Sequence, residues 1–266
     1  MAETGDTGVS PEWRLVTIGR GSFASVSVLT GRPVAFKHVI LPERSQELRG
    51  EFDILRSIYD SCDTDSFFAI PRPFAFYDPS VPASVVAPPR CPHSTGRRQH
   101  LRPRVTEGDF KMLNLDTAAY AMDHVPPLPL VVADTIKKLF YPPNSSAARP
   151  PSLCRIYFGK VISEVGKDGR PNRFFNSANF PLDVNRYRMI KESDHADECG
   201  YPDVQEIVFG MGEMLGRFHW RAGYDARDVE FVMGGASFSG VTLFVIDFNQ
   251  VCHSISLYIL MTITRY

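Results

Sequence analysis

Apolar and polar residues alternate through the first stretches of the chain that carry any pattern, "WRLVTIGRGSFASVSVLT" (13–30) and "PVAFKHVIL" (33–41). Val, Ile, Thr and Phe gathered around glycines predict two strands joined across a loop, and a "GR" turn at 31–32 leads into a third. Period-two alternation sets Ala35 and Lys37 on one face of that third strand and Val34 and Phe36 on the other. The period then changes. In "PERSQELRGEFDILRSIYDS" (42–61), Leu48, Phe52, Leu55 and Tyr59 recur at steps of three and four, which predicts an amphipathic helix with Pro42 near its start.

Beyond this helix, "AIPRPFAFYDP" (69–79) reads as a short strand after an X-Pro turn, and "TAAYAMDHVPPLPL" (117–130) as a buried strand running into a proline-rich break at Pro126 to Pro129. A helix is expected through "VVADTIKKLFY", followed by a polar linker at 142–152. "LCRIYFGKVI" (153–162) fits a strand or a buried helical segment equally, because periodicity does not separate short apolar runs. From Asp203, a candidate N-cap, apolar residues at Val204, Ile207, Val208, Met211, Met214, Leu215 and Phe218 predict a helix running toward Gly223. Two strands follow, "VEFVM" (229–233) and "TLFVID" (242–247), and the second delivers Asp247 to the edge of its sheet.

Composition narrows the class. With 266 residues, 44% of them hydrophobic, the chain can bury a sizeable core, and a formal charge of -1 supplies no overall field for nucleic acid or an anionic membrane. Neither partner is expected. The segment from Pro79 to Arg104 holds six prolines, five arginines and no acidic residue, so a solvated, disordered insertion is expected there. Five cysteines without C-x-x-C spacing argue against a disulfide framework and a zinc ribbon, and the polar N-terminus lacks a signal-peptide pattern. Cytoplasmic or nuclear residence follows. His195 with Cys199 has helical metal-ligand spacing, but the acidic neighbours favour a solvated turn. Tyr224 is expected to be a structural plug, and His219 and Trp220 to pack rather than react.

The motifs, taken together, resemble the protein-kinase-like superfamily. "GRGSFASV" (19–26) is similar to the kinase glycine-rich loop, with Gly19 and Gly21 at the first two glycines and Ala24 at the third. "VAFK" (34–37) is similar to V-A-I-K. By that resemblance Lys37 would neutralise nucleotide phosphates and pair with a helical glutamate, Glu51 or, one turn earlier, Glu47. Without it, Lys37 is an ordinary strand-edge lysine. "AYAMDHV" (119–125), including Met122, sits where the superfamily holds adenine with backbone groups. "HWRAGYDARDVEFVMGG" (219–235) is similar to the catalytic loop H-R-D-x-x-x-x-N, with Asp225 at the aspartate, Arg227 two positions on, and Glu230 at the metal-binding asparagine. "VIDFNQ" (245–250) resembles D-F-G, with Asp247 at the metal ligand. The whole, from about Leu15 to Val251, is similar to a fungal kinase-like family carrying a domain of unknown function. Some of its members resemble proteins of secondary-metabolite gene clusters, which implies a context and no reaction.

The resemblance implies an α+β, two-lobed fold with a small antiparallel sheet plus one helix and a reduced, mainly helical second lobe. The expected layout is a disordered 1–12, a first lobe over 13–125, a hinge, helix and linker over 126–152, a second lobe over 153–250, and an atypical tail at 251–266. That tail either packs as a last strand or helix or reflects an error of gene prediction. With nineteen residues after Asp247 there is no room for a peptide-binding segment, so peptide phosphorylation is not expected. Two functions from different classes remain. One is a nucleotide-binding or pseudokinase module with a small-molecule or protein partner. The other is a small-molecule phosphotransferase using ATP and magnesium, with Asp225 orienting the acceptor hydroxyl and Glu230 and Asp247 on the metal. Both require Lys37, Asp225 and Asp247 to converge around one cleft.

Overall fold

The computed structural model describes residues 14–62, 65–81, 85–86, 103–114, 116–141, 149–162, 179–193, 199–236 and 240–252. The N-terminal 1–12, most of the 79–104 insertion, His195 and the tail from 253 on lie outside them. The chain is mixed α+β. Strands β1 (Leu15–Arg20), β2 (Ala24–Leu29) and β3 (Val34–Val39) form the expected antiparallel hairpins. β4 (Pro73–Tyr77), β5 (Val85–Val86) and β6 (Ala119–Asp123) extend them into a six-stranded antiparallel sheet of order β1-β2-β3-β6-β4-β5.

Each face of this sheet has its own core, as the alternation in β3 requires. On the Lys37 face lies α1 (Ser45–Cys62), which follows a short turn opened by Pro42 and buries Leu48, Phe52, Leu55, Ile58 and Cys62. Glu51 occupies the same buried stripe. On the opposite face Val34 and Phe36 pack with Leu29, Phe74, Tyr77 and the short helix α2 (Glu107–Lys111), whose Phe110 meets Phe36 edge-on and stacks on Tyr77. This covering helix has no counterpart among the sequence expectations. One turn of helix carries too few apolar positions to show a period, and Asp109, which closes its capping box and pairs with Arg32, supplies most of its definition.

The later part of the chain holds more sheet than expected. α3 (Leu130–Phe140), β7 (Leu153–Ile156), β8 (Asn179–Leu182), α4 (Val184–Lys191) and α5 (Val204–Arg217) precede the hairpin of β9 (Glu230–Gly235) and β10 (Val241–Ile246). Strands order as β10-β9-β7-β8, antiparallel except for β7 with β8. Of the ambiguous 153–162 run only Leu153–Ile156 is a strand, where β9 and β8 offer it edges, and the rest is turn and irregular; tertiary pairing decides such a run. Asp203 caps α5 as expected, and a five-residue π turn, Phe218–Ala222, ends it at Gly223, whose φ of 77° suits glycine. Tyr224 is buried in the core.

Two connections fix this region against the first sheet. Ala69 exchanges backbone hydrogen bonds with Leu243 and Val245 of β10, at 2.9 and 3.0 Å. Arg217 on α5 donates to the carbonyls of Cys62 and Asp65 just beyond α1, at 3.1 and 3.0 Å. No described helix is long and apolar enough to cross a membrane.

β9 passes the 126–129 segment so closely that only glycine fits. A Cβ on Gly235 would lie 2.3 Å from the carbonyl oxygen of Pro127, and one on Gly234 2.7 Å from that of Pro126. Gly212, on the open face of α5, would meet nothing within 4 Å. Gly235→Ala is expected to cost about 1–3 kcal/mol by overpacking, and Gly212→Ala to add up to about 1 kcal/mol of helix stability. Urea unfolding of the two variants measures both signs.

Candidate functional site

Lys37 is the residue on which the elements converge. It stands on β3 on the face toward α1, with only 10% of its side chain exposed. Its Nζ donates to Glu51 Oε1 at 2.6 Å and to Asp247 Oδ1 at 3.1 Å. The glutamate reaches it from the buried stripe of α1 with 1% exposure, whereas the aspartate comes from 210 residues away and remains 36% exposed. Of the two glutamates proposed from sequence, the structure brings in Glu51. Glu47 lies on the surface, paired with Arg44.

Tyr120 completes the cluster. It sits opposite Lys37 in the β3–β6 register, and its hydroxyl donates to Glu51 Oε1 at 3.0 Å. The other carboxylate oxygen, Oε2, is buried without a hydrogen-bond partner. Burial works against the Lys37 ammonium, but Glu51 and Asp247 outweigh it and hold the lysine above its ordinary 10.5. Burial pushes the Glu51 carboxyl up, opposed by Lys37 and by the Tyr120 hydroxyl. The buried glutamate therefore depends on the lysine to carry its charge.

Asp247 follows the last residue of β10 with φ of 63°, in the left-handed region that aspartate tolerates better than most residues. Ala226 and Asp228 share that region, at 50° and 60°. Among the described residues, three of the five non-glycine positions with positive φ thus fall in the two loops that carry Asp225 and Asp247, and strain of this kind persists only where surrounding structure enforces it.

Asp225 is held by backbone groups of Cys252 and Arg227. Its N–H donates to the Cys252 carbonyl, and its Oδ1 accepts from the N–H groups of Cys252 and Arg227 at 2.9 and 3.1 Å. Burial opposes its charge, yet these donors hold its carboxyl below the usual aspartate value. Among the described residues it bonds to neither Lys37 nor Asp247. It is tied instead to the segment five residues beyond Asp247. Glu230, opposite Ile246 in the β9–β10 register, stands next to Asp247 in that ladder, but its carboxylate is taken by Arg155 of β7 at 2.5 Å. Burial pushes the Glu230 carboxyl up. No group of three or more His, Cys, Asp or Glu side chains gathers to hold a metal among the described residues.

Gly19 and Gly21 flank Arg20 at the end of β1, where the hairpin turns tightly through a Gly21 to Ala24 hydrogen bond of 2.9 Å. The fold does not demand glycine at either. An added Cβ would meet only ordinary contacts, at 3.9 and 3.8 Å, and neither residue has positive φ. The tip residue Phe23 is buried beneath the hairpin, under the Arg44 guanidinium and 5.9 Å from Lys37 Nζ. Met122, partly buried, shares the Lys37 face through its pairing with Ala35.

No protein-family model matches the chain, and no curated protein or solved structure is significantly similar to it.

Tyr120 and Arg155 are the site residues that sequence reasoning passed over. Tyr120 lay within a recognised strand, but its place opposite Lys37 depends on a pairing across more than eighty residues. Arg155 lay in the run whose structure periodicity left open.

Lys37→Met is expected to lose about 3–5 kcal/mol, because it strands the Glu51 charge in the core. Adding Glu51→Gln should recover part of this, with a coupling of about 1–3 kcal/mol in the double-mutant cycle. Lys37 is raised in the folded state, so its contribution is complete below 10.5 and is lost as pH rises through the higher folded value. Denaturant unfolding of both proteins from pH 8 to 11 should show a steeper alkaline decline in the unaltered protein than in Lys37→Met.

Proposed function

We propose that the protein is a kinase-like nucleotide-binding module, two-lobed around Lys37 and Asp247, that binds ATP with magnesium and has given up efficient turnover. One observation carries this reading: a buried lysine from a glycine-hairpin sheet is shared by a helical glutamate and an aspartate at the end of a distant hairpin. An ammonium fixed by Glu51 is positioned for phosphate oxygens, and Asp247, still partly exposed, is free to turn from the lysine to a metal. Gly19 and Gly21 support it. Glycine at both positions keeps the hairpin backbone open to close approach by phosphate oxygens.

Magnesium in such sites uses one or two carboxylates together with phosphate oxygens and water. Asp247 fits that role. Glu230 fits only by giving up Arg155. Bound there, magnesium would neutralise charge on the phosphates. Lys37 and the hairpin amides would orient those phosphates, while Met122 and the 123–125 backbone would line the adenine end. A site with one available metal carboxylate, glutamate in place of the asparagine and an altered loop before Asp225 suits binding better than transfer.

Asp225 favours the second reading, a small-molecule phosphotransferase. Its carboxylate is ionised and oriented by two backbone donors, as a group that aligns an acceptor hydroxyl must be.

Calorimetric titration with ATP and magnesium, together with thermal melts, tests the proposal. ATP–magnesium at about a hundredfold above its dissociation constant should stabilise the unaltered protein by about 2.7 kcal/mol. Asp247→Asn and Gly21→Val, each compared with its own ligand-free melt, should lose most of that gain. No binding by the unaltered protein contradicts both readings. ATP consumption with any of a panel of hydroxylated metabolites selects the enzyme.

A further inference from the structure

Resting on the nucleotide reading, we infer that Arg155 is the ligand of the terminal phosphate, a fixed guanidinium standing where a second metal ion would otherwise be needed. Arg155 lies on β7 opposite Val232 of β9. Glu230 is two residues along β9 on the same face, and Glu230 is in turn opposite Ile246, the residue before Asp247. The order Arg155, Glu230, Asp247, Lys37 therefore runs across the ends of β7, β9 and β10 to the buried lysine.

The guanidinium is held on two sides. Its Nη1 pairs with Glu230 Oε1 at 2.5 Å, and its Cζ lies over the Tyr157 ring, 5.2 Å from the centroid. Glu230 is largely covered, at 17% exposure, while Arg155 keeps 35%. One carboxylate oxygen uses one of the five N–H donors of an arginine. The remainder are available on the exposed side, and a planar fork of donors matches the oxygens of a phosphate better than a point charge does. Glu230 thus acts as a positioning residue, holding Arg155 in place instead of holding a metal. A nucleoside triphosphate, whose third phosphate extends past Lys37, is then preferred over a diphosphate.

The test is titration of the full chain with ATP and with ADP, each with magnesium. The unaltered protein should bind ATP the more tightly. Arg155→Ala should weaken ATP by about tenfold or more and change ADP by less than about twofold, with Arg155→Lys in between. Glu230→Gln keeps a hydrogen-bond acceptor for Arg155, so ATP affinity and the magnesium concentration needed for half-maximal binding should be preserved. Arg155→Ala shifting ATP and ADP alike, or neither, overturns the inference. So does a raised magnesium requirement in Glu230→Gln, which would make Glu230 a metal ligand, and this arm decides alone if melts show Arg155→Ala unfolded. If the unaltered protein binds neither nucleotide, the nucleotide reading itself fails; if it binds both equally, only the inference does.

Discussion

A lysine ammonium buried between two carboxylates is the constraint around which this chain is arranged. Glu51 is placed in the apolar stripe of α1, where an unpaired charge would be prohibitive, and Lys37 makes its ionised form tolerable. The lysine, in turn, keeps its proton in a buried position because Glu51 first, and Asp247 in addition, outweigh the cost of burial. Well-packed apolar residues could replace such a pair at little cost to a fold, whereas removing one partner alone leaves a buried charge uncompensated.

The steric demands on glycine differ between the first hairpin and β9. Gly234 and Gly235 are required by the fold, since the 126–127 carbonyls occupy the space a side chain would need. Gly19 and Gly21 are not, and they lie in the hairpin whose tip residue reaches toward Lys37. Left-handed backbone occurs at Ala226, Asp228 and Asp247, in the loops that carry Asp225 and Asp247, and also at Asp65 and Asn114 away from them.

Much of this was legible in the sequence, for identifiable reasons. The first three strands and α1 follow from a clean change of period, and α5 from its cap, its apolar repeat and Gly223. The spacing of motifs singled out Lys37, Glu51 and Asp247, and these meet. What escaped is what depends on pairing between distant segments. Tyr120 enters through the β3–β6 register, Arg155 through the edge that β9 offers to β7, and α2 through an exposed sheet face that needed a cover. Glu230 shows the same limit. Its position beside Asp247 was anticipated from spacing, but the cation that claims it sits 75 residues earlier, in a segment with no readable period.

The most direct test of the central claim is a crystal structure with a non-hydrolysable ATP analogue and magnesium. Phosphate oxygens are expected on Lys37 Nζ, with the Glu51 contact intact and Asp247 turned from the lysine to the metal. Nucleotide bound elsewhere, with the Lys37–Asp247 pair undisturbed, would contradict it.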